Sequence, residues 1–196
     1  MLSDDIRAYL LPRAFNAAVR AGWEIMEVYK NRDNYHISVK SDSTPVTLAD
    51  RVAHEKIKQS LGRTRIPILS EEGRQMLYDE RRNWELFWLV DPLDGTVEFI
   101  KGNNEFTVNI ALMADRQCVC AVVYVPYLKK AYVASRGVGS YLLTDIAPEA
   151  EANYSYEDIC QQMCRLPLAE KNRNAFRIAV SRSHQTVETE QYIDAM

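Results

Sequence analysis

The sequence predicts a layered fold of the α+β or layered α/β class. Three observations lead there: a helical apolar stripe along the first thirty residues, a series of short hairpin-like strands between Val108 and Leu143, and a further strand–loop–helix unit opening near Phe176. In residues 4–30 the buried stripe is Ile6, Leu10, Ala14, Ala17, Ala18, Ala21, Ile25 and Val28, with Pro12 expected to shorten or kink the first turns. A short strand is expected around His36 to Lys40. A second helix, from about Leu48 to Leu61, turns Val52, Ala53, Ile57 and Leu61 inward and stops at Gly62. Ile66 to Leu69 is a short buried strand leading into an acidic loop.

Leu86 to Val90 is apolar at every position, as in a strand buried on both faces. Thr96 to Ile100 begins a short helix. Strands follow near Val108–Met113, Cys118–Pro126, Ala131–Ser135 and Ser140–Leu143, the first hairpin turning at Ala114-Asp115-Arg116-Gln117. Ala147 to Leu166 is polar and partly helical, Phe176 to Val180 is a strand, and Thr186 to Ala195 starts a helix.

With 196 residues, 47% of them hydrophobic, the chain has enough apolar material for a core. A net charge of −3 offers no basic footprint for a nucleic-acid polymer. No apolar run approaches a membrane span, and no signal peptide is visible, so a cytoplasmic location is expected. The four cysteines form two local pairs, Cys118/Cys120 sharing a strand face and Cys160/Cys164 one helical turn apart. Buried reduced thiols are expected, with a zinc site as the alternative of atypical spacing.

The chemistry concentrates in Asp91-Pro92-Leu93-Asp94-Gly95-Thr96. An apolar strand delivers two carboxylates into a Pro/Gly turn. Asp91, the Leu93 carbonyl and Asp94 can converge as the hard oxygen ligands that Mg²⁺ prefers. Carboxylates held this close repel one another unless a cation lies between them.

This hexapeptide resembles the signature of the inositol monophosphatase superfamily, the lithium-sensitive, Mg²⁺-dependent phosphomonoesterases. Val46-Thr47-Leu48-Ala49-Asp50 and Leu69-Ser70-Glu71-Glu72-Gly73 resemble two further family segments in the right order. Val97 to Lys101 and Glu105 to Ile110 are similar to one branch, the CysQ-type 3'(2'),5'-bisphosphate nucleotidases, where inositol monophosphatases usually carry Asn-Phe in place of Glu98-Phe99.

The resemblance implies the family's sugar-phosphatase fold, with an N-terminal metal-binding phosphatase domain over residues 1–170 and the start of a C-terminal α/β domain over 171–196. No Trp-Asp pair, the family's downstream metal-binding motif, occurs in the sequence, so a C-terminally truncated chain is expected. It implies two or three Mg²⁺ ions per complete site, held by Glu71, Asp91, Leu93 and Asp94. Asp50 and Thr96 would form a dyad that takes a proton from the attacking water, with Glu71 also catalytic. Backbone amides of Gly95 and Thr96 at a helix start would hold phosphate oxygens. Ser181 and His184 resemble a nucleotide-contacting segment, and Lys40 a mobile-loop lysine.

The implied substrate is a small molecule, 3'-phosphoadenosine 5'-phosphate, cleaved to AMP and phosphate; the implied rivals are inositol and sugar phosphates, or a phosphate-binding role without turnover. An unpaired strand at Phe176–Val180 leaves room for a homodimer. Taken singly, the same residues have plainer roles: Thr47 and Asp50 as a capping box, Glu71 and Glu72 as solvated loop acids, Thr96 as an N-cap, His184 as a surface histidine.

Overall fold

The computed structural model describes residues 4–31, 35–39, 45–168, 178–181 and 185–195. Helix α1 (Asp4–Lys30) leads through a small antiparallel pair, β1 (Ser38–Val39) and β2 (Pro45–Val46), into α2 (Leu48–Gly62). A seven-stranded sheet follows: β3 (Ile68–Ser70), β4 (Leu86–Asp94), β5 (Thr107–Ala114), β6 (Gln117–Val125), β7 (Lys130–Ser135), β8 (Gly139–Leu143) and β9 (Cys164–Arg165). Spatial order equals sequence order, and every neighbouring pair is antiparallel except β3–β4, which is parallel. Short helices α3 (Tyr78–Arg81), α4 (Thr96–Lys101) and α5 (Tyr156–Gln162) sit in the connections, and α6 (Val187–Asp194) comes last, with no buried residue.

Helices α1 and α2 pack on each other and on one face of the sheet, α1 over β5 and β6 and α2 over β4. Small residues at Ala14, Ala17, Ala18 and Ala21 let α1 approach closely, while Leu11, Phe15 and Ile25 fill the space between layers. From the sheet, Val108, Ile110 and Leu112 alternate inward on β5, and Val122, Tyr124, Ala131 and Val133 do so on β6 and β7. Trp88 is fully buried and its indole N–H donates to Thr64 Oγ1 at 3.1 Å, which settles its one polar atom.

Four expectations change. Helix α1 runs unbroken through Pro12, because Leu10, Leu11, Ala14 and Phe15 on both sides are locked into the core, and that packing outweighs one missing backbone bond. Strand β4 is covered on one face only: Trp88 and Val90 are buried, but Leu89 between them is 43% exposed. Its apolar run therefore signals a sheet face that the described residues leave open.

The thiols are mostly exposed; only Cys120 is buried, because a bulge at Val119 breaks the alternation that would have put Cys118 on its face. The strand expected over Phe176–Val180 lies partly outside the described residues, and its described part, 178–180, is irregular. The predicted hairpin turn holds in detail: Asp115 (φ 50°) and Arg116 (φ 63°) are both left-handed, as a two-residue type I′ turn requires. Among the described residues no helix is long and apolar enough to cross a membrane.

Candidate active site

The first four residues of the acidic hexapeptide, Asp91 to Asp94, lie within β4 rather than after it, and Gly95 and Thr96 lead into α4. Asp91 pairs with Asn109 and Asp94 with Thr107, so three steps along β4 meet two along β5. The extra residue is a bulge, and Pro92, which has no N–H to give to a ladder, sits inside it. The bulge replaces the turn expected from Asp-Pro and Asp-Gly. Its effect is to bring Asp91, the Leu93 carbonyl and Asp94 toward one edge of the helix-covered core.

Asp91 is half-buried, and its Oδ1 is fully enclosed without a hydrogen-bond partner. Burial, then the charges of Glu71 and Asp94, push its carboxyl up to about 7, and a hydrogen bond shared with Glu71 acts the same way. The Leu93 amide, donating to the carboxylate, opposes the shift. An orphaned carboxylate oxygen beside two more acids is the surrounding a hard cation satisfies. The donor set thus fits Mg²⁺, though it is open: among the described residues no three His, Cys, Asp or Glu side chains form a group that could hold a metal by themselves.

Glu71 reaches this edge from the turn after β3. Its amide donates to the Val90 carbonyl at 3.0 Å, and Gly73 N–H closes the turn on the Ser70 carbonyl at 3.0 Å. The Ser70 hydroxyl lies 2.9 Å from His54 Nδ1 on α2. Asp94 is exposed and accepts from Asn109 Nδ2 at 2.9 Å, while Asn109 Oδ1 accepts from Thr107 Oγ1 at 3.0 Å.

Asp50 has two tasks at once. It is 1% exposed; its Oδ2 accepts the Thr47 amide at 2.7 Å and the Thr47 hydroxyl at 2.6 Å, completing the capping box of α2. Its Oδ1 accepts from Thr96 Oγ1 at 3.0 Å. The cap therefore orients the carboxylate whose other oxygen meets Thr96, and capping α2 does not preclude the hydrogen bond to Thr96. Thr96 is the first residue of α4, not its cap; the cap position belongs to Gly95, at φ 95°, and no side chain covers that helix end. A second acceptor for Thr96 Oγ1 is the Leu93 carbonyl at 3.3 Å.

Asp50, Glu71, Asp91, Leu93, Asp94, Gly95 and Thr96 are thus gathered where α2, β3, β4 and α4 meet. Ser181 lies exposed in the short segment 178–181, and His184 and Lys40 fall outside the described residues. Sequence reasoning did not single out Asn109 or His54 as part of this set. Asn109 stands in the segment quoted for the family resemblance, and His54 follows Asp50 by one helical turn, which was the available signal. Asn109→Leu would leave Asp94 without its donor; a roughly tenfold loss of Mg²⁺ affinity is expected by calorimetry, in line with the usual effect of removing a ligand's supporting hydrogen bond.

Comparison with known proteins gives a consistent picture. The 3'(2'),5'-bisphosphate nucleotidase CysQ of Salmonella typhimurium is 45% identical over 130 residues, 65% of this chain and 52% of that protein. The chain spans about half the length of the curated relatives it matches. The crystal structure of CysQ from Bacteroides thetaiotaomicron, a bacterial member of the inositol monophosphatase family, superposes with a TM-score of 0.83 at 41% identity, covering 100% of this chain and 69% of the other. The extragenic suppressor protein suhB of Bartonella henselae gives 0.60 at 30% identity over 71% of this chain and 52% of its own. The profile of the inositol monophosphatase family matches residues 7–195, nearly the whole sequence, and the chain belongs to that family.

Proposed function

We propose that this chain serves the Mg²⁺-dependent hydrolysis of a phosphate monoester, with 3'-phosphoadenosine 5'-phosphate cleaved to AMP and phosphate. The observation that carries the proposal is the buried, unpartnered Oδ1 of Asp91 between Glu71 and Asp94, with the Asp50–Thr96 hydrogen bond beside it. The nucleotide substrate is supported by the CysQ relatives and by Glu98-Phe99 in α4.

Glu71, Asp91, the Leu93 carbonyl and Asp94 would hold the Mg²⁺. When bound, Mg²⁺ supplies a Lewis acid that lowers the charge on the phosphoryl group and eases ionisation of water. The chain's own residues supply the rest. Thr96 would pass its hydroxyl proton to Asp50 Oδ1 along their hydrogen bond as its oxygen takes one from the attacking water, leaving the proton on the Asp50 carboxyl. Asp50 keeps that geometry because its second oxygen is tied into the α2 cap. Gly95 admits the close approach of a phosphate to the backbone at the start of α4.

A second reading, phosphate binding without turnover, is favoured by one observation, the absence of a closed three-residue metal group among the described residues. Phosphate release measured with and without Mg²⁺ distinguishes the two. Wild type is expected to prefer 3'-phosphoadenosine 5'-phosphate over inositol 1-phosphate, and Thr96→Val to lose roughly a hundredfold or more, the usual contribution of a proton-accepting side chain. Preference for inositol 1-phosphate would discard the nucleotide assignment and keep the site. Release from neither would favour the binding role.

A further inference from the structure

We infer that His54 is a positioning residue that fastens the acidic turn Ser70–Gly73 to α2 and so sets the place of Glu71 against Asp91. This rests on the metal-site reading above and extends it to a residue that is not itself a ligand.

Asp50 and His54 are four residues apart and so lie on one face of α2, one turn from each other. Asp50 uses that face to hold Thr96, and His54 uses it to hold Ser70, at 2.9 Å between Nδ1 and Oγ. A single helix thereby grips the two chain segments that flank β4, the acidic turn on one side and the start of α4 on the other.

The His54 side chain is 14% exposed, and its Nε2 is 3.8 Å from the Glu55 carboxylate. Its ring also backs the turn itself: a methyl group placed on Gly73 would come within 3.8 Å of His54 Cε1 and 3.0 Å of the Ser70 carbonyl. Burial depresses the basicity of His54, against the pull of Glu55 and Glu72, which favours the neutral ring able to pair with a hydroxyl.

Glu71 needs such support. Its side chain stands exposed and shares a hydrogen bond with Asp91, so the place of the turn's backbone decides how the two acids meet. That backbone is held to β4 by the bond from Glu71 N–H to Val90 C=O, immediately before Asp91. The β3–β4 ladder, ending at Ser70 opposite Val90, holds the same stretch from the sheet side, and the Ser70–His54 bond adds an attachment on the helix side. The turn is thus held by backbone bonds from the sheet and by a side chain from α2, and only the latter fixes its distance from the helix that carries Asp50.

The test uses the whole chain and Mg²⁺ alone as the probe. Calorimetric affinities are compared for wild type, His54→Phe, Ser70→Ala, the double variant and His54→Asn, whose amide can replace Nδ1. His54→Phe and Ser70→Ala are each expected to weaken Mg²⁺ binding roughly tenfold, the double variant no more than either alone, and His54→Asn to recover most of the loss. Wild-type affinity in both single variants, with Asp91→Asn binding none, would overturn the inference.

Amide hydrogen exchange of the metal-free chain keeps the outcome separate from the metal reading. His54→Phe should speed exchange at Glu71 to Gly73 by about tenfold or more while leaving the Thr47–Asp50 cap unchanged. Should wild type and Asp91→Asn respond alike to Mg²⁺, the metal reading fails, and this exchange difference alone decides: unchanged rates at Glu71 to Gly73 overturn the role of His54.

Discussion

Asp91→Asn is expected to abolish Mg²⁺-dependent phosphate release and, in the absence of metal, to make the fold more stable. Both effects follow from the same atom. Asp91 Oδ1 is enclosed without a partner, and burial together with Glu71 and Asp94 raises the carboxyl to about 7 from an ordinary 3.8. The native chain therefore binds this proton more tightly than the unfolded chain does. Between those two values it holds more protons, so on this account the metal-free fold loses stability as pH rises from about 4 to about 7 and gains it as pH falls.

A shift of this size corresponds to ~4 kcal/mol for a fully buried group. Water reaching part of Asp91 screens that to roughly 1–2 kcal/mol. The neutral amide introduced by Asp91→Asn removes the pH-dependent term, so chemical denaturation at pH 8 and pH 5.5 should show a smaller difference in the variant than in wild type. Mg²⁺ requires the ionised carboxylate, hence wild-type Mg²⁺ affinity should fall by up to about tenfold per pH unit below 7. Retained turnover in Asp91→Asn would remove the metal-site proposal. An Mg²⁺ affinity flat between pH 5.5 and 8 would remove Asp91 as the group that the proton and the cation share.

Gly95→Ala is expected to damage stability and site together. Gly95 stands at φ 95°, ψ 40°, where a Cβ would lie 2.7 Å from the Glu105 carbonyl oxygen and 3.3 Å from Phe106 Cα. The backbone conformation alone costs about 1–2 kcal/mol for a residue with a side chain. Forcing a methyl against fixed backbone adds a further ~1–3 kcal/mol, because the Glu105 carbonyl cannot rotate away as a side chain would. A loss near 3 kcal/mol lowers the melting temperature of a chain this size by roughly 6–12 °C.

The chain relieves the clash by moving the start of α4, and Thr96 is the next residue. Its 3.0 Å bond to Asp50 is lost first, and misplacement of a reacting group by about 1 Å costs roughly a hundredfold in turnover. Calorimetric melting and phosphate release check the two halves separately. A melting temperature within about 2 °C of wild type would show that the neighbourhood of Gly95 yields more easily than its backbone contacts indicate.

Much of this molecule is determined locally and is legible in the linear chain. The α1 stripe, the Asp115-Arg116 turn and the alternation of Val108, Ile110 and Leu112 depend on residues a few positions apart, so periodicity and turn chemistry disclose them. Thr47 and Asp50 announce the amino end of α2 for the same reason. The hexapeptide from Asp91 to Thr96 declares carboxylate chemistry because two acids three positions apart are an electrostatic liability without a purpose.

Tertiary structure decided what depends on distant partners. Whether Pro12 breaks a helix turns on the core that grips its neighbours, and whether Leu89 is covered turns on which sheet face receives α1 and α2. The Pro92 bulge arises from the mismatch between β4 and β5, a property of two strands and invisible in either. Asp50 meets Thr96, 46 positions away, and His54 meets Ser70, 16 away, only because α2 lies across β4. Sequence alone determined which groups carry charge and which segments coil or extend. Packing determined which of those groups stand within hydrogen-bonding reach, because a contact between distant residues is set by the assembled core and not by the local backbone.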